Sequence, residues 1–161
     1  MLEIRKALEA DKSEVWEIIK AVIATGDTYV FAPASPKEKM LAYWFAADKQ
    51  TYVALWENKI VGTFFLKDNQ PDLGSHIANA GYMVAPDAKG KRVGRTMAEF
   101  SLEEARRLGY RAMQFNFVVK SNEVAVRLWM NLGFEIIGEI PEAFSHAHDG
   151  LTNAYIMYRK L

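Results

Sequence analysis

The chain has 161 residues, half of them hydrophobic and a quarter charged, which describes one globular domain with its own core rather than a disordered segment. Twenty Lys and Arg balance twenty Asp and Glu, so no net field directs the chain to nucleic acid or to an anionic membrane. There is no cysteine, hence no disulfide, thiolate nucleophile or cysteine metal site; with no apolar signal core in MLEIRKALEADK and no membrane-length run, a soluble cytoplasmic protein is the expectation.

Leu2 to Ala7 alternates apolar and charged residues, the pattern of a half-buried strand. Asp11 or Ser13 can cap a helix to about Ala24, with Val15, Ile18, Ile19, Val22 and Ile23 on one face. Thr25-Gly26-Asp27 ends it, and Thr28 to Ser35 (TYVFAPAS) reads as an aromatic loop. Pro36 starts a second helix, with Met40, Tyr43, Trp44 and Ala47 at helical spacing. Thr51–Glu57 and Ile60–Lys67 read as strands joined in a hairpin at Glu57-Asn58-Lys59. A polar loop from Asp68 to Ser75 precedes a strand from Ile77 to Ala85, where Gly81 is compatible with a bulge.

A third helix follows over roughly Lys91 to Leu108. Gly94, Ala98, Ser101 and Ala105 give it a stripe of small residues suited to lying close on a sheet, and Glu103 pairs with Arg107 on its outer side. Ala112 to Val119 is another strand. A fourth helix runs from Glu123 to Leu132, with Ala125, Leu128, Trp129 and Leu132 inward and Gly133 as its stop. Phe134–Ile140 and Ala154–Tyr158 are the last strands. The order β-α-α-β-β-β-α-β-α-β-β implies an α/β protein with a mixed sheet and helices on both faces, in a single domain over residues 1–161.

One junction carries chemistry. Val84-Ala85-Pro86-Asp87-Ala88-Lys89-Gly90-Lys91-Arg92-Val93-Gly94-Arg95 joins a strand end to a helix start. Amides from Gly90 to Arg95 at a positive helix end, with basic side chains around them, suit a pyrophosphate. Gly90 and Gly94 let a ligand approach the backbone, and Arg92 trades some of that freedom for a phosphate contact. The bland alternative is an ordinary turn with solvated Lys and Arg.

This junction and the run Asn122-Glu123-Val124-Ala125-Val126-Arg127-Leu128-Trp129-Met130-Asn131-Leu132-Gly133-Phe134 resemble the GCN5-related N-acetyltransferases (GNAT) over nearly the whole chain. The family's loop signature is Gln/Arg-x-x-Gly-x-Gly/Ala; here Lys89 stands at its first position and Arg92 at its first glycine. The resemblance implies the acyl-coenzyme A N-acyltransferase fold. That fold has a mixed, mostly antiparallel sheet of seven strands whose middle strands splay apart, with four helices. It also implies acetyl-coenzyme A as co-substrate, no metal and, by family habit, a homodimer.

By the same resemblance Tyr82, Met83 and Val84 meet the pantetheine arm through their backbone, and Lys89, Gly90, Lys91, Arg92, Val93, Gly94 and Arg95 surround the pyrophosphate. Asn122 reaches the coenzyme, or simply caps the fourth helix. Trp129 stands where many members have a Tyr that protonates the leaving thiolate. Indole cannot act as that acid, so Trp129 is expected to be a wall beside the thioester.

Gly26-Asp27-Thr28-Tyr29, Asn79-Ala80-Gly81, Phe115-Asn116, Asn122 and Arg127-Leu128-Trp129 are similar to fungal acetyltransferases of proline analogues such as azetidine-2-carboxylate. That similarity puts Asn79 and Asn116 at the active site. Both lie in apolar strand sequence, where an amide is costly without a partner; a structural role satisfied by neighbouring chain is the alternative. Tyr29, Phe31, Tyr43 and Trp44 are expected to wall the acceptor pocket, although the helical spacing of Tyr43 and Trp44 also fits a core.

His76 is a candidate base or a surface residue; His146 and His148, beside Asp149, are candidate metal ligands or bases, with a mobile polar loop the preferred reading. The expected reaction is direct attack of a small-molecule or amino-acid amine on the thioester, with amides near Val84 polarising the carbonyl. The alternatives are an acetyltransferase of protein N-termini or lysines, and a non-catalytic acyl-coenzyme A-binding module.

Overall fold

The structure is a computed structural model that describes residues 1–161. Its sheet consists of β1 (Leu2–Lys6), β2 (Lys49–Trp56), β3 (Lys59–Asp68), β4 (Ile77–Val84), β5 (Ala112–Val119), β6 (Glu135–His146) and β7 (Gly150–Lys160). The spatial order is β1-β2-β3-β4-β5-β7-β6. Every neighbouring pair is antiparallel except β4 with β5. Four helices accompany it: α1 (Lys12–Ile23), α2 (Lys37–Trp44), α3 (Val93–Arg107) and α4 (Glu123–Asn131). None is long and apolar enough to cross a membrane.

Alternation along β3 sorts the helices onto two faces. A Cβ at Gly62 would meet Met97 Sδ at 2.8 Å and Val93 Cγ1 at 2.9 Å, so the missing side chain lets α3 settle there. Phe64, on the same face, stacks on Tyr52 at 4.8 Å and meets Phe100 of α3 edge-on at 6.1 Å. Ala98, Ser101 and Ala105 of the expected small stripe are buried beneath α3. On the opposite face, Trp44 of α2 donates its indole N–H to Thr63 Oγ1 at 2.9 Å and packs against Phe65 at 4.9 Å. Val15, Ile18, Ile19 and Ile23 of α1 complete that side of the core.

Local chemistry explains the boundaries. Glu57 and Asn58 both have positive φ, 50° and 65°, as a two-residue hairpin turn between β2 and β3 requires. Pro36 caps α2 instead of opening it, and the helix stops at Trp44, so Ala47 lies outside it. Gly81 marks no bulge: β3 and β4 keep one register from Gly62–Val84 to Asp68–Ala78. A Cβ there would come within 2.9 Å of the Phe65 ring, which occupies the vacated space. On α3 the ion pairs are Glu103–Arg106 and Glu104–Arg107, so Glu103 does not pair with Arg107.

The largest departure is the last hairpin. β6 and β7 run on to His146 and from Gly150, through residues expected to form a loop. Register shifts at Ile136/Gly138 and Ile140/Phe144 break the alternation that would have announced these strands. Glu142 takes φ 49° within β6, and its N–H is satisfied by Asn153 Oδ1 at 2.9 Å.

One carboxylate ties the first strand to the first helix. Asp11 accepts from both terminal nitrogens of Arg5, at 2.7 and 3.0 Å, and from the Leu8 N–H at 2.6 Å. The Arg5 hydrogen bonds hold its carboxyl below the usual Asp value, against the opposing effect of burial. A carboxyl depressed on folding adds stability above its unfolded pKa and loses it as pH falls through the folded one. Asp11→Ala should therefore lower unfolding stability by about 2 kcal/mol at neutral pH. In urea titrations the gap to wild type should close as the medium is acidified below about pH 4.

Candidate active site

The parallel pairing of β4 with β5 covers only Ile77–Ala112 and Ala78–Met113. Beyond it, Asn79 Nδ2 donates to the Gln114 carbonyl at 3.0 Å, a side chain replacing the next ladder bond at the fork. The strands then part. Ala85 N–H turns toward β3 and donates to Val61 O at 2.8 Å, so by strand alternation Val84 and Tyr82 direct their backbone groups into the gap. The Tyr82 groups are engaged there by the Tyr29 hydroxyl, which accepts from Tyr82 N–H at 2.8 Å and donates to Tyr82 C=O at 2.7 Å. Burial raises the Tyr29 phenol, only partly opposed by its backbone hydrogen bond, so it remains protonated.

The gap opens toward the start of α3. Pro86–Ala88 form a short 3₁₀ turn, Gly90 takes φ 85°, and Arg92 sits in the left-handed region at φ 58°, ψ 23°. No side chain caps the helix. Thr96 N–H bonds back to Arg92 O at 3.0 Å, leaving the amides of Val93, Gly94 and Arg95 as the helix's own orphans. Lys89, Lys91 and Arg92 are exposed around them. Lys91 lies 5.5 Å over the Trp56 ring, and Arg95 turns along the helix to Glu99 at 2.8 Å. The positive helix end and uncapped amides can hold an anionic diphosphate without any metal.

An aromatic wall closes the α3 face of the gap. Trp129 is 8 % exposed and packs 4.9 Å from Tyr82, 4.5 Å from Phe115 and 5.5 Å from Phe134. Tyr82 Oη meets Ser101 Oγ at 2.6 Å, and burial raises this phenol as well. Met83 is buried in the core, whereas Val84 is half-buried. Asn122 caps α4, its Oδ1 accepting from Ala125 N–H at 3.4 Å.

On the other face, Tyr29 stacks near Phe31 at 6.3 Å, and Phe31 meets Tyr43 edge-on at 4.9 Å. Tyr43 is exposed at the rim, with Lys49 Nζ 4.0 Å from its ring centre. Trp44 is fully buried and bonded to Thr63, so it belongs to the core and not to a pocket wall. Asn116 lies on β5, three residues beyond the last β4–β5 pair. It is exposed, accepting from Gln114 Nε2 at 3.0 Å and donating to Asn69 Oδ1 at 2.7 Å. Asn79 is half-buried with its amide nitrogen spent on β5.

The histidines stand apart. His76 is exposed at the paired end of β4, six residues and about 20 Å from Tyr82 along the strand. His146 Nδ1 accepts the N–H groups of His148 and Asp149 at 3.1 Å each, capping the β6–β7 hairpin tip. That tip touches the aromatic segment, with Ala147 N–H on Gly26 O at 3.0 Å.

Two features escaped the sequence: Lys49, its side chain 4 % exposed and its ammonium destabilised by burial, and the Gln114–Asn116–Asn69 chain. Neither has a local pattern: Lys49 lies over the rings of Tyr43 and Phe65, and Asn116 reaches Asn69, forty-seven residues away. A surface depression of about 470 Å³ lies between α3 and the end of α4, among Glu99, Glu103, Arg106 and Arg159, and includes no residue of the gap.

The profile of the acetyltransferase (GNAT) family matches residues 15–134. The N-acetyltransferase aca1 of Schizosaccharomyces pombe is 37% identical over 112 residues, 69% of this chain and 54% of its own length. The chain thus spans about half of that relative. A GCN5-related N-acetyltransferase structure from Kribbella flavida superposes with TM-score 0.94 at 36% identity, covering 99% of this chain and 98% of the other. The structure of yncA from Salmonella typhimurium with its cofactor acetyl-CoA has TM-score 0.86 at 22% identity, covering 100% and 94%, a likeness of fold.

Arg92 occupies backbone space that suits glycine. A left-handed conformation costs a residue with a Cβ roughly 1–2 kcal/mol, of which the flexibility of unfolded glycine returns part. Arg92→Gly should therefore raise unfolding stability by up to about 1 kcal/mol. A thermal melt of the two proteins checks this.

Proposed function

The chain belongs to the acetyltransferase (GNAT) family, and from that membership we propose that it moves the acetyl group of acetyl-coenzyme A to the amine of a small molecule or amino acid. The observation that carries the reading is a track of backbone donors, interrupted by the internally bonded turn at residues 85–91. It runs from the parted edge of β4 at Tyr82 and Val84 to the uncapped amides of Val93, Gly94 and Arg95. A coenzyme with a diphosphate at one end and an amide-bearing arm at the other matches that track in chemistry and order. Gly90 and the exposed Lys89, Lys91 and Arg92 add room and charge at the diphosphate end.

At the thioester end, the amine lone pair attacks the carbonyl carbon and the C–O electrons move to oxygen. The tetrahedral intermediate then collapses, breaking the C–S bond and releasing coenzyme A thiolate. Tyr82 N–H is placed to stabilise the oxyanion, an effect typically worth about 3 kcal/mol. The acceptor loses a proton to solvent or a neighbouring base, and the thiolate gains one. Trp129 supplies neither and serves as an apolar wall. Tyr29, Phe31 and the exposed Tyr43 bound the opposite side, an aromatic surface suited to a compact, partly apolar amine. Asn79 and Asn116 rim the fork, and the Asn116 carboxamide is reachable from solvent. The proposed assembly is a homodimer, for which Val124 and Met130 of α4 and Ile137 of β6 offer exposed apolar surface; a monomeric mass in solution scattering rejects it.

Release of free thiol from acetyl-coenzyme A, followed across a panel of amines and amino acids, tests the reaction. Turnover with at least one small amine supports it, and coenzyme binding without turnover across the panel overturns it. With an accepted amine, Asn116→Ala should lower kcat/KM roughly tenfold or more, while its exposed hydrogen bonds cost less than about 1 kcal/mol of stability. Equal losses in both would make Asn116 a structural residue.

A further inference from the structure

Tyr29 does more than line the acceptor side. Where β4 leaves β5, the N–H and C=O of Tyr82 lose their strand partner, and such groups cost about 1–3 kcal/mol each when buried unpaired. One hydroxyl satisfies both: Tyr29 Oη lies 2.8 Å from Tyr82 N and 2.7 Å from Tyr82 O. A neutral phenol has one proton to donate and lone pairs to accept, so both bonds are made at once.

Any carbonyl oxygen that accepts from Tyr82 N–H must stand about 3 Å from that nitrogen. The Tyr29 oxygen already stands there, so the two cannot occupy the site together. Resting on the acyl-donor reading above, we propose that Tyr29 is a positioning residue whose hydroxyl holds the place of the thioester carbonyl. It keeps Tyr82 N–H and C=O aligned in the free protein and yields them when acetyl-coenzyme A enters. The hydroxyl departs as an intact phenol, and no proton changes hands.

The displacement falls on a connecting segment and not on a strand or helix. Tyr29 belongs to the segment between α1 and α2, which also carries Phe31 and is tied to the β6–β7 tip through Gly26 O and Ala147 N–H at 3.0 Å. Withdrawal of the hydroxyl therefore moves the segment that bounds the acceptor side, so acyl-donor entry resets the acceptor pocket.

Tyr29→Phe retains the ring, which packs 6.3 Å from both Phe31 and Trp44, and removes only the oxygen. Titration calorimetry of wild type and variant with acetyl-coenzyme A, and separately with coenzyme A, tests the proposal. A contact made only in the free protein opposes binding, so its loss should tighten acetyl-coenzyme A binding about fivefold. Coenzyme A, which lacks the acetyl carbonyl, should gain less. Saturating acetyl-coenzyme A should also close the gap in thermal stability between the two proteins. Binding by both proteins with unchanged or weaker affinity in the variant overturns the placeholder alone. Wild-type protein that binds neither ligand overturns the acyl-donor reading and the placeholder with it. Tyr29→Leu, which also lacks the hydroxyl, gives the same comparison should the first variant not fold.

Discussion

The parting of two parallel strands after a single short stretch of ladder governs this molecule. A sheet normally consumes the polar groups of its own backbone. Here β4 stops being paired on one side after Ala78 while β5 continues with β7 as its partner. The result is a row of directed donors and acceptors inside the fold, available to side chains or to a ligand. Three side-chain arrangements answer that geometry. Asn79 fastens the fork, Tyr29 spans the opening, and Trp129 with Phe115 and Phe134 fills one flank. The site is thus a gap in secondary structure supported by packing, and its geometry is as rigid as the strands that border it.

The two faces of the sheet divide the labour. α3 lies close because Gly62 removes a side chain from beneath it, and the same helix presents its amino end to the gap. α1 and α2 cover the other face, and the segment joining them delivers Tyr29 and Phe31. On the proposed reading, the diphosphate falls to one helix terminus and the amine to a connecting segment on the opposite side. Since net charge is zero, any attraction for an anion arises locally from a helix end and a few Lys and Arg side chains.

Much of this was readable beforehand, for identifiable reasons. α3 and α4 carry strong 3.6-residue patterns and clear stops, so their limits fell within two residues of Val93–Arg107 and Glu123–Asn131. The loop before α3 announces itself through glycines and basic residues between a strand and a helix. Asn79 and Asn116 were visible as polar residues in apolar strands, but sequence could not say which way each faced. A bulge between Phe115 and Val118 in the β5–β7 register leaves Asn116 exposed. The extent of β6 and β7 was hidden because Pro141 and the positive φ of Glu142 interrupt the period-two signal. Tyr29 looked like one aromatic among several. Its partner is a backbone fifty-three residues away, and nothing local records such a bond.

Those interruptions in β6 have an effect on how the molecule meets its neighbours. β6 is an outer strand of twelve residues, long enough in principle to template another chain. Two register shifts and a proline bend it, so it offers no long straight row of free backbone groups. At the opposite margin β1 spans only five residues and carries Arg5 and Lys6. Both outer strands are thus poor partners for stray β pairing, and the one place where this sheet is open to an extended guest is in its middle.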